Sequence, residues 1–210
     1  MPANASRTAL AMTDGIGRRR AGSRDESIEI SCSHLLTAPP HSPDLVASEA
    51  DTTGVYAWWG SEHIPWPADF PPTTDTVPLY VGLASSQTVG NRIVRNHLRS
   101  TRRSALRRSL TALLVDDLKL RSHVECLPAP GKFTLAPTGE RALSEWMRKH
   151  LTVSWVATGT PVPLEAAVIA ELLPPLNDAH ATGSPYRKHL RELRASVCTD
   201  PDRHTRGRRT

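Results

Sequence analysis

The chain has 210 residues, 39% of them hydrophobic, which suits one modest core with additional material at the ends. Its formal charge of +5 and sequence pI of about 9.5 come from arginine, the lysines being only Lys119, Lys132, Lys149 and Lys188; the planar guanidinium fork favours bidentate phosphate contacts, so nucleic acid or another polyanion is the expected partner. No run approaches the roughly 20 apolar residues of a membrane span, and the first residues lack a continuous apolar segment, so the expectation is a soluble, cytoplasmic protein with no membrane partner.

Residues 1–26 carry Arg18, Arg19 and Arg20 among Gly, Ser and Ala without apolar periodicity, and are expected to form a disordered basic arm. An N-terminal extension follows over 27–51, with one short element from Ile28 to Leu36 and a loop forced by Pro39, Pro40, Ser42 and Pro43. Thr53 to Trp59 and Val77 to Ala84 are short, rich in β-branched and aromatic residues and bounded by Gly or Pro, which predicts a strand pair. The connection contains Pro65, Pro67, Pro71 and Pro72 and reads as a surface excursion carrying Trp66 and Phe70. Its Glu62, His63 and Asp69 read as exposed loop polar residues rather than as a second metal site.

Helical spacing then recurs over Val89 to Leu98 and over Ser104 to Leu118, where Ser104 is a suitable N-cap and Leu106, Leu110, Leu113 and Leu114 form the apolar stripe. Arg107 and Arg108 fall away from that stripe. With Arg99, Arg102 and Arg103 they make a dense cationic segment expected to track phosphates. Thr138 to Leu151 predicts another helix, Val153 to Ala157 a third strand, and Pro163 the first turn of a helix that stops at Pro174 and Pro175. A basic amphipathic stretch, Pro185 to Val197, and an Arg-rich tail occupy the final part, 179–210. Cys32, Cys126 and Cys198 are odd in number, widely spaced and without a CxxC, so neither a disulfide framework nor a zinc ribbon is indicated, and a reducing compartment fits.

The most telling side chain is Glu165. At roughly 100° per residue, Val168, Ile169 and Leu172 share its face of the helix, which turns this carboxylate toward the core. A carboxylate there requires a cation, a donor network or a metal, or else takes up a proton.

The order Gly54-Val55-Tyr56, Tyr80-Val81-Gly82, Arg92 on a helix, a third strand, Glu165 on a helix and then Asn177 resembles the GIY-YIG nuclease superfamily over about residues 52–178. The resemblance implies a small α+β domain with a three-stranded antiparallel sheet flanked by helices, hydrolysing phosphodiesters with one divalent ion, Mg2+ or Mn2+. It implies catalytic positions at Tyr56, Tyr80, Arg92, His97 and Asn177, with Arg92 on the scissile phosphate and Glu165 as metal ligand. His97 is offset by one from the usual helical partner of the Arg, and Asn96, one turn after Arg92, is the competing neighbour. An unperturbed phenol titrates near 10; Arg92 and the metal are expected to lower Tyr56 so that it acts as general base or orients the attacking water, with metal-bound hydroxide as the alternative. The leading reading is a metal-dependent DNA endonuclease. The others are a catalytically silent nucleic-acid-binding module of the same fold and an RNA-directed or structural interaction protein.

Overall fold

The computed structural model describes residues 33–199 apart from positions 72 and 75. The expected basic arm, most of the Ile28–Leu36 element, Cys32 and the Arg-rich tail lie outside the described residues. A helical segment at 33–37 is followed by α1, Pro43–Glu49. The loop expected at the proline cluster therefore ends sooner: Ser42 caps Leu45 N, and Pro43 stands in the first turn, where its missing N–H leaves no bond unmade.

Three strands build the main sheet: β1, Gly54–Trp59; β2, Tyr80–Ala84; and, much later in the chain, a strand over Thr152–Ala157 that runs beside β1. Both pairings with β1 are antiparallel, so β1 is central and buried along nearly its whole length. Alternation splits its side chains between two layers. Val55 and Ala57, with Val81, pack against Leu164, Val168 and Ile169 on one face, while Tyr56 and Trp58 enter the larger core on the other.

That larger core is made by the elements between β2 and the third sheet strand. Helix α2, Val89–Arg92, runs directly into a π-helical turn, Ile93–His97. Helix α3 spans Ala105–Leu114 and is capped by Ser104 Oγ, which accepts from Arg107 N. A hairpin of two three-residue strands, β3 (Val124–Cys126) and β4 (Phe133–Leu135), was not foreseen from the sequence; it contributes Val124, Phe133 and Leu135 to the core. Helix α4 spans Pro137–His150 and leads into the third sheet strand, β5, Thr152–Ala157. Helix α5, Pro161–Leu172, covers the opposite face, and α6, Arg187–Ser196, packs on α3 and buries Leu190 in the larger core.

Cys126 and Cys198 form a disulfide that ties β3 to the end of α6 across 72 residues of sequence. The expectation of unpaired thiols is corrected for these two: distance along the chain is no obstacle once α6 folds back against the hairpin. Both open edges of the sheet are covered, as an exposed strand edge would otherwise offer unpaired backbone groups. His41 exchanges hydrogen bonds with Val153 of β5. On the β2 side, Leu176 N donates to Leu79 O, and the Asn177 amide bonds both Val81 N and Val81 O at 2.8 and 2.9 Å.

Candidate active site

The β1–β2 register places Tyr56 opposite Gly82 and Trp58 opposite Tyr80, so these residues share one face. The glycine is required by its neighbour: a Cβ on Gly82 would lie 2.6 Å from Tyr56 Oη. The phenol therefore lies across β2, fully buried, and its Oη is 2.6 Å from His97 Nε2. The His97 ring is also approached edge-on by Trp58 at 5.6 Å and Tyr80 at 5.8 Å between centroids.

His97 owes this position to the π turn. The start of α2 is fixed by Val89 N bonding Thr52 O, by Gly90 N bonding Ala50 O and by the Thr88 cap on Asn91 N. In a regular helix the residue one turn beyond Arg92 is Asn96. Here Leu98 N bonds Ile93 O, five residues back, and the additional residue carries His97 to the Tyr56 hydroxyl. Of the two residues weighed as neighbours of Arg92, it is His97 that contacts the Tyr56 hydroxyl.

Behind His97 stands a second layer of polar groups. His97 Nδ1 is 2.8 Å from Ser104 Oγ, the α3 cap. Arg107 donates to His97 O, Thr101 Oγ1, Ser144 Oγ and both the backbone O and Oε2 of Glu140, the last at 2.6 Å. Glu140 in turn accepts from Thr101 N and Oγ1, and Ser144 Oγ donates to Leu98 O. These bonds fasten the π turn to α3 and α4. The neutral imidazole is favoured here: burial, then the charges of Arg92 and Arg107, hold His97 well below its ordinary value.

Tyr56 departs from expectation in the opposite direction. Burial raises its phenol above the usual tyrosine range, Tyr80 adds to this, and the pull of Arg92 does not compensate. Without a bound cation, the expected lowering by Arg92 is overturned by desolvation. Tyr80 is also raised, by burial and then Glu165, against the pull of Arg92, Arg194 and Arg108. Burial alone would lower Arg92, but Tyr56, Tyr80 and Glu165 outweigh it and hold the guanidinium charged.

Glu165 is half-buried at the start of α5 rather than fully inside, and its carboxylate makes no hydrogen bond or ion pair among the described residues. Burial raises its carboxyl, with His180 and Arg92 pulling the other way. Tyr56, Tyr80, Arg92 and Glu165 act electrostatically on one another, although Tyr56 lies in the larger core and Glu165 on the helix that covers the opposite face of the sheet. No group of three or more His, Cys, Asp or Glu able to hold a metal occurs among the described residues. A hard cation at Glu165 fits nonetheless as a one-carboxylate site completed by water and phosphate oxygens, the manner in which Mg2+ is commonly held.

Asn177 is brought near the site indirectly. Its amide is committed to the Val81 backbone, so it fixes the middle of the Tyr80-Val81-Gly82 strand. The expected cationic segment divides in two. Arg99, Arg102 and Arg103 are exposed, but Arg107 is fully buried and Arg108 is 7% exposed, its Nη1 donating to Thr101 O and Arg102 O. The expectation that Arg107 and Arg108 track phosphates from a solvated helix face is corrected: that face of α3 is covered, and Arg107 is a structural clamp. In the 60–78 connection Glu62 pairs with His63 at the surface and Asp69 lies 3.8 Å from His189.

Ser104, Glu140 and Ser144 are the supporting residues that the sequence reading missed; only the Ser104 capping signal was visible there. The family model for the GIY-YIG catalytic domain matches residues 54–196. The chain belongs to the GIY-YIG catalytic-domain family, a family of nucleases, and the match runs from the first residue of β1 to the last of α6. Comparison with curated proteins gives no match, and comparison with solved structures gives none.

Proposed function

We propose that this protein is a divalent-metal-dependent endonuclease that hydrolyses DNA phosphodiester bonds, with Tyr56, Tyr80, Arg92, His97 and Glu165 as its site. The observation that carries the reading is the buried Tyr56 Oη–His97 Nε2 contact beside a charged Arg92 and an unpaired Glu165. A raised phenol is a poor standing base. Its contact with a neutral imidazole offers a relay: Tyr56 Oη receives the proton of the attacking water while its own proton passes to His97 Nε2, a transfer that becomes favourable as the negative substrate phosphate offsets the Arg92 charge that otherwise holds His97 neutral. Ser104 Oγ holds Nδ1 and so fixes the ring for that transfer.

The water oxygen bonds to phosphorus, the bond from phosphorus to the leaving oxygen breaks, solvent protonates that oxygen, and His97 returns its added proton through Tyr56 to solvent. Arg92 faces the negative charge that accumulates on the phosphoryl oxygens. Tyr80, half-buried beside it, borders the substrate, and Asn177 keeps β2 in register under both. Glu165 would hold Mg2+ or Mn2+, which supplies further positive charge to the phosphate oxygens.

Supercoiled, linear, branched and single-stranded DNA, and RNA, incubated with Mg2+ or Mn2+ and with EDTA, test this. Cutting of DNA that EDTA abolishes, and that Arg92→Ala slows by about several hundredfold, supports the reading. No cutting of any DNA with either ion, or cutting that EDTA leaves untouched, overturns it.

A further inference from the structure

The geometry points to a second anion site: the cleft between the β3–β4 turn and α6 receives a non-scissile backbone phosphate of the nucleic-acid substrate, gripped by the exposed Lys132 and Arg191 with the charge of the buried Arg194 behind them. This rests on the nuclease reading for the identity of the ligand, but on separate residues.

The cleft has a volume of about 370 Å3, and Lys132, Asp178, Arg191, Glu192 and Arg194 supply its charged lining. Its two walls are tied together by the Cys126–Cys198 bond, and the turn at Gly131, with φ of +65°, brings its backbone against the stem of Arg194. Lys132 on that turn is exposed, its backbone bonded to Ala129 O and Leu127 N, and its ammonium makes no hydrogen bond or ion pair among the described residues.

Positive charge is in excess here. Asp178 is shared by Arg187 at 3.0 Å, Arg191 at 2.9 Å and Arg194 at 3.6 Å, so one carboxylate serves three guanidinium groups. Glu192 has its own partner in Lys188 at 3.9 Å. Arg108 and Arg194 are both more than nine-tenths buried, and the Nε of each has no hydrogen-bond acceptor among the described residues. Burial and the charge of Arg108 push Arg194 down to about 10, and Arg108, burial and Arg194 together lower Lys132. Concentrating cations in this way costs stability unless an anion arrives to offset them.

The cleft also has a direction. The positive charge of Arg194, which lines the cleft, and of the buried Arg108 acts on Tyr80, so the field of the cleft reaches the candidate active site. A strand whose scissile phosphate sits at Arg92 can lay another of its phosphates in it. Such a contact positions the backbone without reading bases.

The test is binding of a fluorescent DNA duplex by the full chain in EDTA, followed by anisotropy as salt rises. Lys132→Gln combined with Arg191→Gln changes two exposed side chains, and Lys132→Glu alone is a second variant should the pair disturb folding. Arg148→Gln combined with Lys149→Gln, two exposed residues of α4, removes the same two charges and controls for net charge. Expected is a loss of about tenfold in affinity for the cleft variants, with the slope of log affinity against log salt reduced by about one. Affinity and slope equal to those of the Arg148→Gln, Lys149→Gln control would overturn the inference. Inorganic phosphate that binds the wild type while the cleft variants keep full DNA affinity would assign the cleft to a free anion and overturn it as well. Failure of the nuclease reading is distinguishable, because it shows as absent cutting with the cleft-dependent binding intact.

Discussion

Gly82 lies opposite Tyr56 in the β1–β2 ladder with its α-carbon under the phenol, leaving no room for one further carbon between strand and ring. Each motif thereby depends on the other. Gly82→Ala would set a Cβ 2.6 Å from Oη and displace the hydroxyl from His97. The expected outcome is a fall in cleavage approaching that of Tyr56→Phe, with a destabilisation of about 1–3 kcal/mol from overpacking. Cleavage rates and urea unfolding of the two variants side by side check this; wild-type cleavage by Gly82→Ala would mean that the Oη position is not needed.

His97 gives the fold a dependence on pH whose sign is fixed by its surroundings. Its folded-state pKa lies well below the ordinary 6.5, so between the two values the unfolded chain binds a proton that the native chain refuses. Stability is fully present above about 6.5 and declines as pH falls below it, by up to about 1.4 kcal/mol per pH unit. His97→Gln should be less stable at neutral pH, having lost the contacts to Tyr56 and Ser104, yet lose less on acidification. Urea unfolding at pH 7 and pH 5 measures the difference, and equal slopes in the two proteins would contradict it.

Arg107 and the exposed arginines before it should behave in opposite ways. Arg107→Ala leaves the partly buried Glu140 carboxylate without its cation and the His97 carbonyl without a donor, and is expected to cost about 3–5 kcal/mol. Arg99→Gln or Arg103→Gln should change stability by no more than about 0.5 kcal/mol. Thermal melts separate the two cases directly.

The contrast shows where sequence reading stops. A helical wheel correctly placed Arg107 and Arg108 off the leucine stripe, but burial of the remaining face is decided by how α6 and α4 close over α3, a tertiary event. The strands at 54–59 and 80–84 were legible from β-branched and aromatic residues bounded by Gly or Pro, and the third strand and the helix after Pro163 from two-residue and 3.6-residue periods, all of which are local signals. The β3–β4 hairpin was not, since three residues per strand are too few to show a period. His97 was visible only as a residue one place out of step with Arg92. The π turn that corrects the offset arises from its packing against Tyr56, Trp58 and Tyr80 and has no signature in composition. Glu165 was found from its stripe, although its carboxylate proves to be half-buried.

The most direct test of the proposed chemistry is the rate of plasmid nicking by Glu165→Gln against the wild type across a titration of Mg2+. Expected is a saturable Mg2+ dependence for the wild type and, in the variant, loss of nicking by at least about two orders of magnitude at every concentration, with duplex binding retained. Nicking by Glu165→Gln at the wild-type rate and with the same Mg2+ dependence would contradict the role given to this carboxylate.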